Sequence, residues 1–148
     1  TLRVGGRTQL EVIERIYRYE DAINAARSSL SGGYLVGGGL ALFHAIDNLK
    51  IKNPDIKKVF KKVCQANVRQ ISENVGQHSD ICVKEIMELS TEFNNNWGYN
   101  AASGAYEDLL SSGIIEPLKV ITQVVNNAIS IANIIITSRY LIINQIEE

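Results

Sequence analysis

Long stretches of helical periodicity, each cut by glycine, constrain this chain most. Thr8 stands where a helix N-cap belongs and Glu11 follows three residues later, the reciprocal capping-box pattern. Leu10, Ile13, Ile16, Tyr17, Ile23, Ala26 and Leu30 then recur at three- and four-residue steps. That spacing predicts one amphipathic helix to about Ser31, ended by Gly32-Gly33. Gly37-Gly38-Gly39 leads directly into Leu40–Ile46. A glycine run opening a helix lets backbone approach a ligand closely, but no strand pattern is evident before it, so the signal is weak by itself. Asp55 is expected to cap a helix with Ile56, Val59, Phe60, Val63, Cys64 and Ile71 on its apolar face and Lys57, Lys58, Lys61 and Lys62 opposite. Gly76 closes that helix. A shorter one starts at Ser79 or Asp80 and carries Ile81, Ile86 and Leu89. Trp97–Asn100 reads as turn or short strand, Tyr106–Ser111 as a short helix ending at Gly113. Pro117 suits the first position of a final long helix, whose core face holds Val120, Ile121, Val124, Val125, Ala128, Ile129, Ala132 and Ile135. Short strands are expected at Leu2–Val4 and Tyr140–Ile143. Helices this apolar must pack into a bundle. The fold class is mainly α, with a few short strands.

Composition narrows the function classes. Hydrophobic residues make up 45% and charged residues 21% of the 148, enough apolar material for one packed domain and too much for a disordered chain. The net charge of -1 argues against nucleic acid as main partner, because neutralising phosphates takes excess Lys and Arg. Cys64 and Cys82 are too few for a disulfide scaffold and wrongly grouped for zinc, so a reducing compartment is the easier reading. No signal peptide is visible, and the first residue, Thr1, suggests a processed chain or a fragment. The apolar run Ala128–Thr137 spans about 15 Å at helical rise, half a bilayer core, and reads as a buried helix end rather than a membrane span.

The residues alone offer little chemistry. Glu20 and Asp21 are adjacent on a helix and diverge by about 100°, so they cannot act as a mutual acid–base pair, and a solvated face is the plain reading. His44 and His78 lack the spacing of a metal site, and no metal ligand is assigned. The lysine face reads as solvated surface. No Gly-x-Ser-x-Gly elbow or complete P-loop is present.

Particular words in the sequence go further. Tyr19–Arg27 (Tyr-Glu-Asp-Ala-Ile-Asn-Ala-Ala-Arg), Gly37–Leu42 (Gly-Gly-Gly-Leu-Ala-Leu), Gly98–Ala102 (Gly-Tyr-Asn-Ala-Ala) and Gly113–Val120 (Gly-Ile-Ile-Glu-Pro-Leu-Lys-Val) resemble, in order and spacing, the C-terminal part of GroEL-type group I chaperonins. Arg69-Gln70-Ile71 and Ile136-Thr137-Ser138 fit the same pattern. The resemblance covers essentially the whole chain. It implies that residues 1–31 belong to the intermediate, or hinge, domain and residues 32–148 to the C-terminal half of the helical, ATP-binding equatorial domain. The family's Gly-Asp-Gly-Thr-Thr phosphate loop and its magnesium aspartate are not found here. The implied function is that of a segment of an ATP-dependent chaperonin subunit, folding client polypeptides in a homo-oligomeric ring with a GroES-type co-chaperonin. The intact protein would be an ATPase and the isolated segment inactive. ATP and magnesium are the implied ligands, with the magnesium ligand outside this segment. Bacterial cytoplasm or an organellar matrix or stroma is the implied location.

The resemblance also assigns residues. Asp21 matches the hinge-helix aspartate that orients the attacking water, a task suited to a carboxylate on a moving element. Gly37 and Gly38 match glycines whose backbone lies against the nucleotide. Tyr99, Asn100, Ala101 and Ala102 match the adenine pocket, with Asn100 offering donor and acceptor to the base edge. Ile114 matches an apolar contact to the base; for it and for Tyr99, plain core packing is the alternative. Glu116 stands where the family carries an aspartate that bonds the ribose hydroxyls and caps the next helix; glutamate reaches one methylene farther and caps less well. His78 replaces an acidic residue that pairs with an arginine at the ring–ring contact, and Arg139 replaces a glutamate. These departures leave open a second reading, a diverged chaperonin-like paralogue that serves as a binding or scaffold module without ATP cycling.

Overall fold

The computed structural model describes residues 1–140. Its elements run α1 (Gln9–Gly32), β1 (Tyr34–Val36), α2 (Leu40–Ala45) with a 3-10 turn at Ile46–Asn48, α3 (Pro54–Asn74), α4 (Ser79–Glu92), β2 (Trp97–Asn100), β3 (Ala105–Asp108), β4 (Ile115–Pro117) and α5 (Leu118–Thr137). Helices dominate, as the periodicity predicts. Two compact units form: one from Thr1–Gly33 and the segment beginning at Pro117, the other from Tyr34–Glu116.

In the first unit, α1 begins as its capping pattern requires. Thr8 Oγ1 accepts from the Glu11 N–H at 3.2 Å, while the Glu11 carboxylate accepts from the Arg7 N–H at 2.8 Å. The return arm of the capping box thus lands one residue early. Two i,i+4 ion pairs, Arg15–Glu11 and Arg18–Glu14, line the exposed surface and contribute at most a few tenths of a kcal/mol each. Helices α1 and α5 lie against each other. The start of α5 is pinned by Leu118 N–H donating to Gly33 O at 3.1 Å and by Lys119 Nζ donating to Ser31 Oγ at 2.8 Å. The Lys119 stem passes so close to Gly32 that a Cβ there would meet it at 2.9 Å.

Three expectations fail in this unit. Neither α1 nor α5 buries a single residue. Leu10 and Leu30 on α1, and Val120, Val124, Ile129 and Ile135 on the expected core face of α5, stand in solvent. The expected buried helix end at Ala128–Thr137 is likewise exposed. A helix stripe is buried only when a second apolar surface covers it, and the contact of α1 with α5 does not cover these faces. By length and composition α5 could cross a membrane, with mean hydropathy 1.5. Gln123, Asn126, Asn127, Ser130 and Asn133 interrupt its surface, and Gln123 bonds Asn127 along it. Residues 2–4 form no strand, and the strand expected at Tyr140–Ile143 lies, beyond Tyr140, outside the described residues.

The second unit holds the core. Leu40 and Phe43 of α2, Val68 of α3, Cys82, Val83 and Ile86 of α4, and Leu109 make one buried cluster. Helix α3 is capped by Asn53, not Asp55: Asn53 Oδ1 accepts from the Asp55 and Ile56 N–H groups, and Pro54 occupies the first turn, where its missing N–H costs nothing. The face α3 buries is also shifted. Cys64, Gln65, Val68 and Ser72 are inside, whereas Ile56, Val59, Phe60 and Val63 are exposed. Small or polar residues that touch α2 and α4 set this stripe, and Ser72 is accommodated because its hydroxyl donates to Val68 O at 2.7 Å. Such back-bonding satisfies a buried hydroxyl within its own helix.

The expected short helix at Tyr106–Ser111 is instead half of a hairpin. Strands β2 and β3 pair antiparallel with Trp97 opposite Asp108 and Tyr99 opposite Tyr106. Asn100 Oδ1 accepts from the Ala102 N–H at 2.9 Å, and Gly104 turns the chain at φ 73. Four residues per strand with burial that does not alternate leave no clear period-2 signal, so helical propensity prevails in the sequence reading.

Truncating Ile86, 1% exposed, to alanine is expected to cost ~2–5 kcal/mol, whereas Ile81→Ala on the outer face of the same helix, 57% exposed, should cost under about 0.5 kcal/mol. Urea titration of both variants checks the assignment of the buried stripe.

Candidate functional site

Strand β1 runs straight into the triple glycine. It pairs with β4, and this two-stranded ribbon supplies the preceding strand that the sequence did not reveal. At its end Gly37 N–H donates to Ile114 O at 2.9 Å. Gly38 and Gly39 both adopt left-handed backbone, φ 65 and 79, and Gly39 is the N-cap of α2. Strand, two left-handed residues and a short helix therefore follow one another, a conformation open to glycine and strained for other residues.

All three glycines are packed tightly from within the unit. A Cβ on Gly37 would meet Ile114 at 3.0 Å, one on Gly38 would meet Leu109 Cδ1 at 2.7 Å, and one on Gly39 would meet Asn67 on α3 at 2.9 Å. Gly98, at the start of the second motif, is held the same way, its Cβ position lying 2.7 Å from Leu40 Cδ1 and 3.0 Å from Leu109 Cδ1. Leu109 is thus wedged between Gly38 and Gly98 and is 1% exposed. Its backbone completes the junction: Leu109 N–H donates to Asn96 O at 3.0 Å, and Leu109 O accepts from Ile114 N–H at 2.8 Å. One leucine ties the glycine run, the hairpin and the strand leading to Glu116 together.

Around this junction the expected residues take definite places. Tyr99 and Ile114 are half-buried and lean on the core cluster together with Val36 and Tyr106. The Tyr99 and Tyr106 rings meet edge to face, 5.3 Å between centroids. Burial, then a hydrogen bond with Cys82, pushes the Tyr106 phenol well above its ordinary range. Ala101 and Ala102 sit exposed in the hairpin turn. Asn100 is already employed: its Oδ1 accepts from the Ala102 and Ser103 N–H groups, and its Nδ2 donates to Glu107. One Nδ2 proton stays uncommitted. The side chain expected to read a base edge therefore shapes the turn.

Glu116 lies in β4, half-buried, and caps nothing: the N-cap of α5 is Pro117, with no side-chain capping bond. Among the described residues its carboxylate has no ion-pair partner, and burial pushes its pKa above the ordinary carboxylate range. Asp21 is exposed on α1, in the other unit. Arg69 is paired inside the chain, Nη1 donating to Asp80 Oδ1 at 2.6 Å and Nη2 to Gln65 at 3.4 Å, while His78 is the N-cap of α4 without a side-chain bond. Among the described residues no group of three or more His, Cys, Asp or Glu is placed to hold a metal ion. Sequence reading missed Leu109 altogether; its only signal is its position between two motif words.

The Tyr34–Glu116 unit is mainly helical, with a strand–glycine–helix entrance and a Gly-Tyr-Asn-Ala-Ala hairpin joined at Leu109. Residues 1–145 match the sequence profile of the TCP-1/cpn60 chaperonin family. The chain belongs to that family and is a chaperonin sequence, of a class that works as oligomeric assemblies on client proteins.

Two outcomes follow from this geometry. Gly38→Ala combines a left-handed backbone with a 2.7 Å contact and should cost ~1–3 kcal/mol, read as a lowered urea midpoint. For Glu116 the folded protein holds its proton to higher pH than the unfolded chain, so stability falls as pH rises through and above the ordinary carboxylate value toward the raised one. Glu116→Gln removes that loss. The variant should melt higher than the native protein at pH 7, with the difference vanishing below about pH 4; thermal melts across that range check the sign.

Proposed function

We propose that this chain is a segment of an ATP-dependent chaperonin subunit, and that an adenine nucleotide lies against the Gly37–Gly38 backbone and the Tyr99–Ala102 hairpin. The observation that carries this reading is the convergence of those two segments on Leu109, together with Ile114, inside one unit. The Gly37–Gly38 backbone packs on Ile114 and Leu109 on its Cβ side, and its peptide groups would lie against the ligand. Tyr99 and Ile114 offer apolar edges next to small Ala101 and Ala102, and the free Nδ2 proton of Asn100 is available to an acceptor on the base. Glu116 would take the ribose hydroxyls as an acceptor, and its unpaired carboxylate is compatible with that task. Asp21, on α1, would accept from and orient the attacking water. Magnesium would be held by residues outside this sequence, where it would neutralise phosphate charge. In the assembled ring, hydrolysis would drive the folding of client polypeptides with a GroES-type co-chaperonin, in bacterial cytoplasm or an organelle.

The second reading, a chaperonin-like scaffold without ATP cycling, draws on two observations. The Asn100 amide is largely consumed by its own turn, and half-buried Glu116, whose pKa burial raises, reaches one methylene farther than the family's aspartate. Both weaken recognition of a nucleotide.

The two readings separate on the full-length protein. Ala102→Phe enlarges an exposed turn residue without touching the core. It should weaken ATP binding at least tenfold, about 1.4 kcal/mol, with an unchanged melting temperature. Asp21→Ala should leave ATP binding intact and lower its hydrolysis by ~10²–10⁴-fold. Calorimetric titration and phosphate release give both numbers; a native protein that binds no ATP would favour the scaffold.

A further inference from the structure

A second concavity, built from different residues, opens between α2, α3 and α4. Its volume is about 360 Å³, within the range of small-molecule sites. Phe43 forms an apolar part of its wall. Lys57 and Lys61, one turn apart on α3, line it together with His44, Asp47 and Ser90. The two lysines have no ion-pair partner among the described residues.

The histidine's hydrogen bonds fix what this wall can recognise. Ser90 Oγ donates its only proton to Ile86 O at 2.6 Å. Toward His44 Nε2, 3.3 Å away, Ser90 can then only accept, so Nε2 carries the proton. Burial holds this imidazole below its ordinary pKa against the opposing pull of Asp47, which keeps it neutral and leaves Nδ1 as an acceptor. Nδ1 faces Asp47 Oδ2 at 3.9 Å. Two acceptors at that separation take two donor protons, one each, which the adjacent hydroxyls of a diol supply. The cavity therefore combines two lysines without an ion-pair partner among the described residues and a pair of acceptors matched to a diol.

We propose that this cavity is a binding site for a small phosphorylated polyol, its phosphate held by Lys57 and Lys61 and two adjacent hydroxyls donating, one to His44 Nδ1 and one to Asp47. The site is independent of the nucleotide reading, since none of its residues belongs to the glycine entrance or the hairpin. A phosphate suits ammonium groups as point charges, and the polar wall distinguishes a hydroxylated ligand from bare phosphate.

The test is calorimetric titration of the full-length protein with glycerol 3-phosphate, with glycerol and inorganic phosphate as comparators. Saturable binding of glycerol 3-phosphate, tighter than that of either comparator, is expected. It should weaken at least tenfold in the Lys57→Ala/Lys61→Ala double variant and severalfold in Asp47→Ala. It should be unchanged in Lys58→Ala/Lys62→Ala, which removes the neighbouring charges outside the cavity. Saturating ATP should not displace it. All four lysines are exposed, so an unchanged melting temperature will separate lost binding from lost folding. No saturable binding at millimolar concentration, an equal loss in the two lysine pairs, or displacement by ATP would each overturn the proposal.

Discussion

Leu109 is the contact on which the Tyr34–Glu116 unit depends. Its side chain occupies the space between Gly38 and Gly98, and both glycines are bare because that space is already filled. Neither of the two motif words could be placed without it. Its two backbone bonds, to Asn96 and Ile114, fix the hairpin on one side and the strand entering β4 on the other. Tight packing of this kind transmits small displacements. A shift of α2 by a fraction of an ångström is felt by the hairpin turn, because one leucine touches the elements bearing both. In a protein proposed to link nucleotide binding to movement, a rigid junction at that point is useful: both halves of the proposed nucleotide contact would move together.

The unit containing α1 and α5 is organised differently. Its helices have well-formed ends and little core. Thr8, Gly33 and the Lys119–Ser31 bond determine where the helices start and stop, yet the apolar stripes of both helices face solvent. Local hydrogen bonding can define a helix, but burial of its apolar face supplies most of its stability.

Much of the architecture was legible because helices of twenty residues carry many repeats of their period. The starts of α1 and α4 and the glycine closures at Gly33 and Gly76 could be read from residue types alone. Which face of α3 is buried could not. Ile56, Val59, Phe60 and Val63 form the more apolar stripe, but the helices that pack on α3 meet Cys64, Gln65, Val68 and Ser72. Hydrophobicity records that a face can be buried, whereas topology decides whether it is. The hairpin was hidden for another reason: four residues per strand offer two turns of alternation at most, and the turn is set by the Asn100 side chain and Gly104 rather than by an Asn-Gly pair. Of the candidate site, the residue words were visible and their convergence was not, because the connecting residue, Leu109, carries no motif of its own. The His44 cavity was invisible for a similar reason, since its lysines look like any solvated helix face until α2 and α4 are set beside them.

Amide hydrogen exchange on the full-length protein, with and without a non-hydrolysable ATP analogue, tests the nucleotide reading most directly. The account predicts slowed exchange at two stretches, Val36–Leu42 at the glycine entrance and Tyr99–Gly104 in the hairpin, appearing together at one nucleotide concentration, with Ile114–Glu116 slowed alongside them. Slowing of one stretch without the other, or of neither while the nucleotide demonstrably binds, would contradict it.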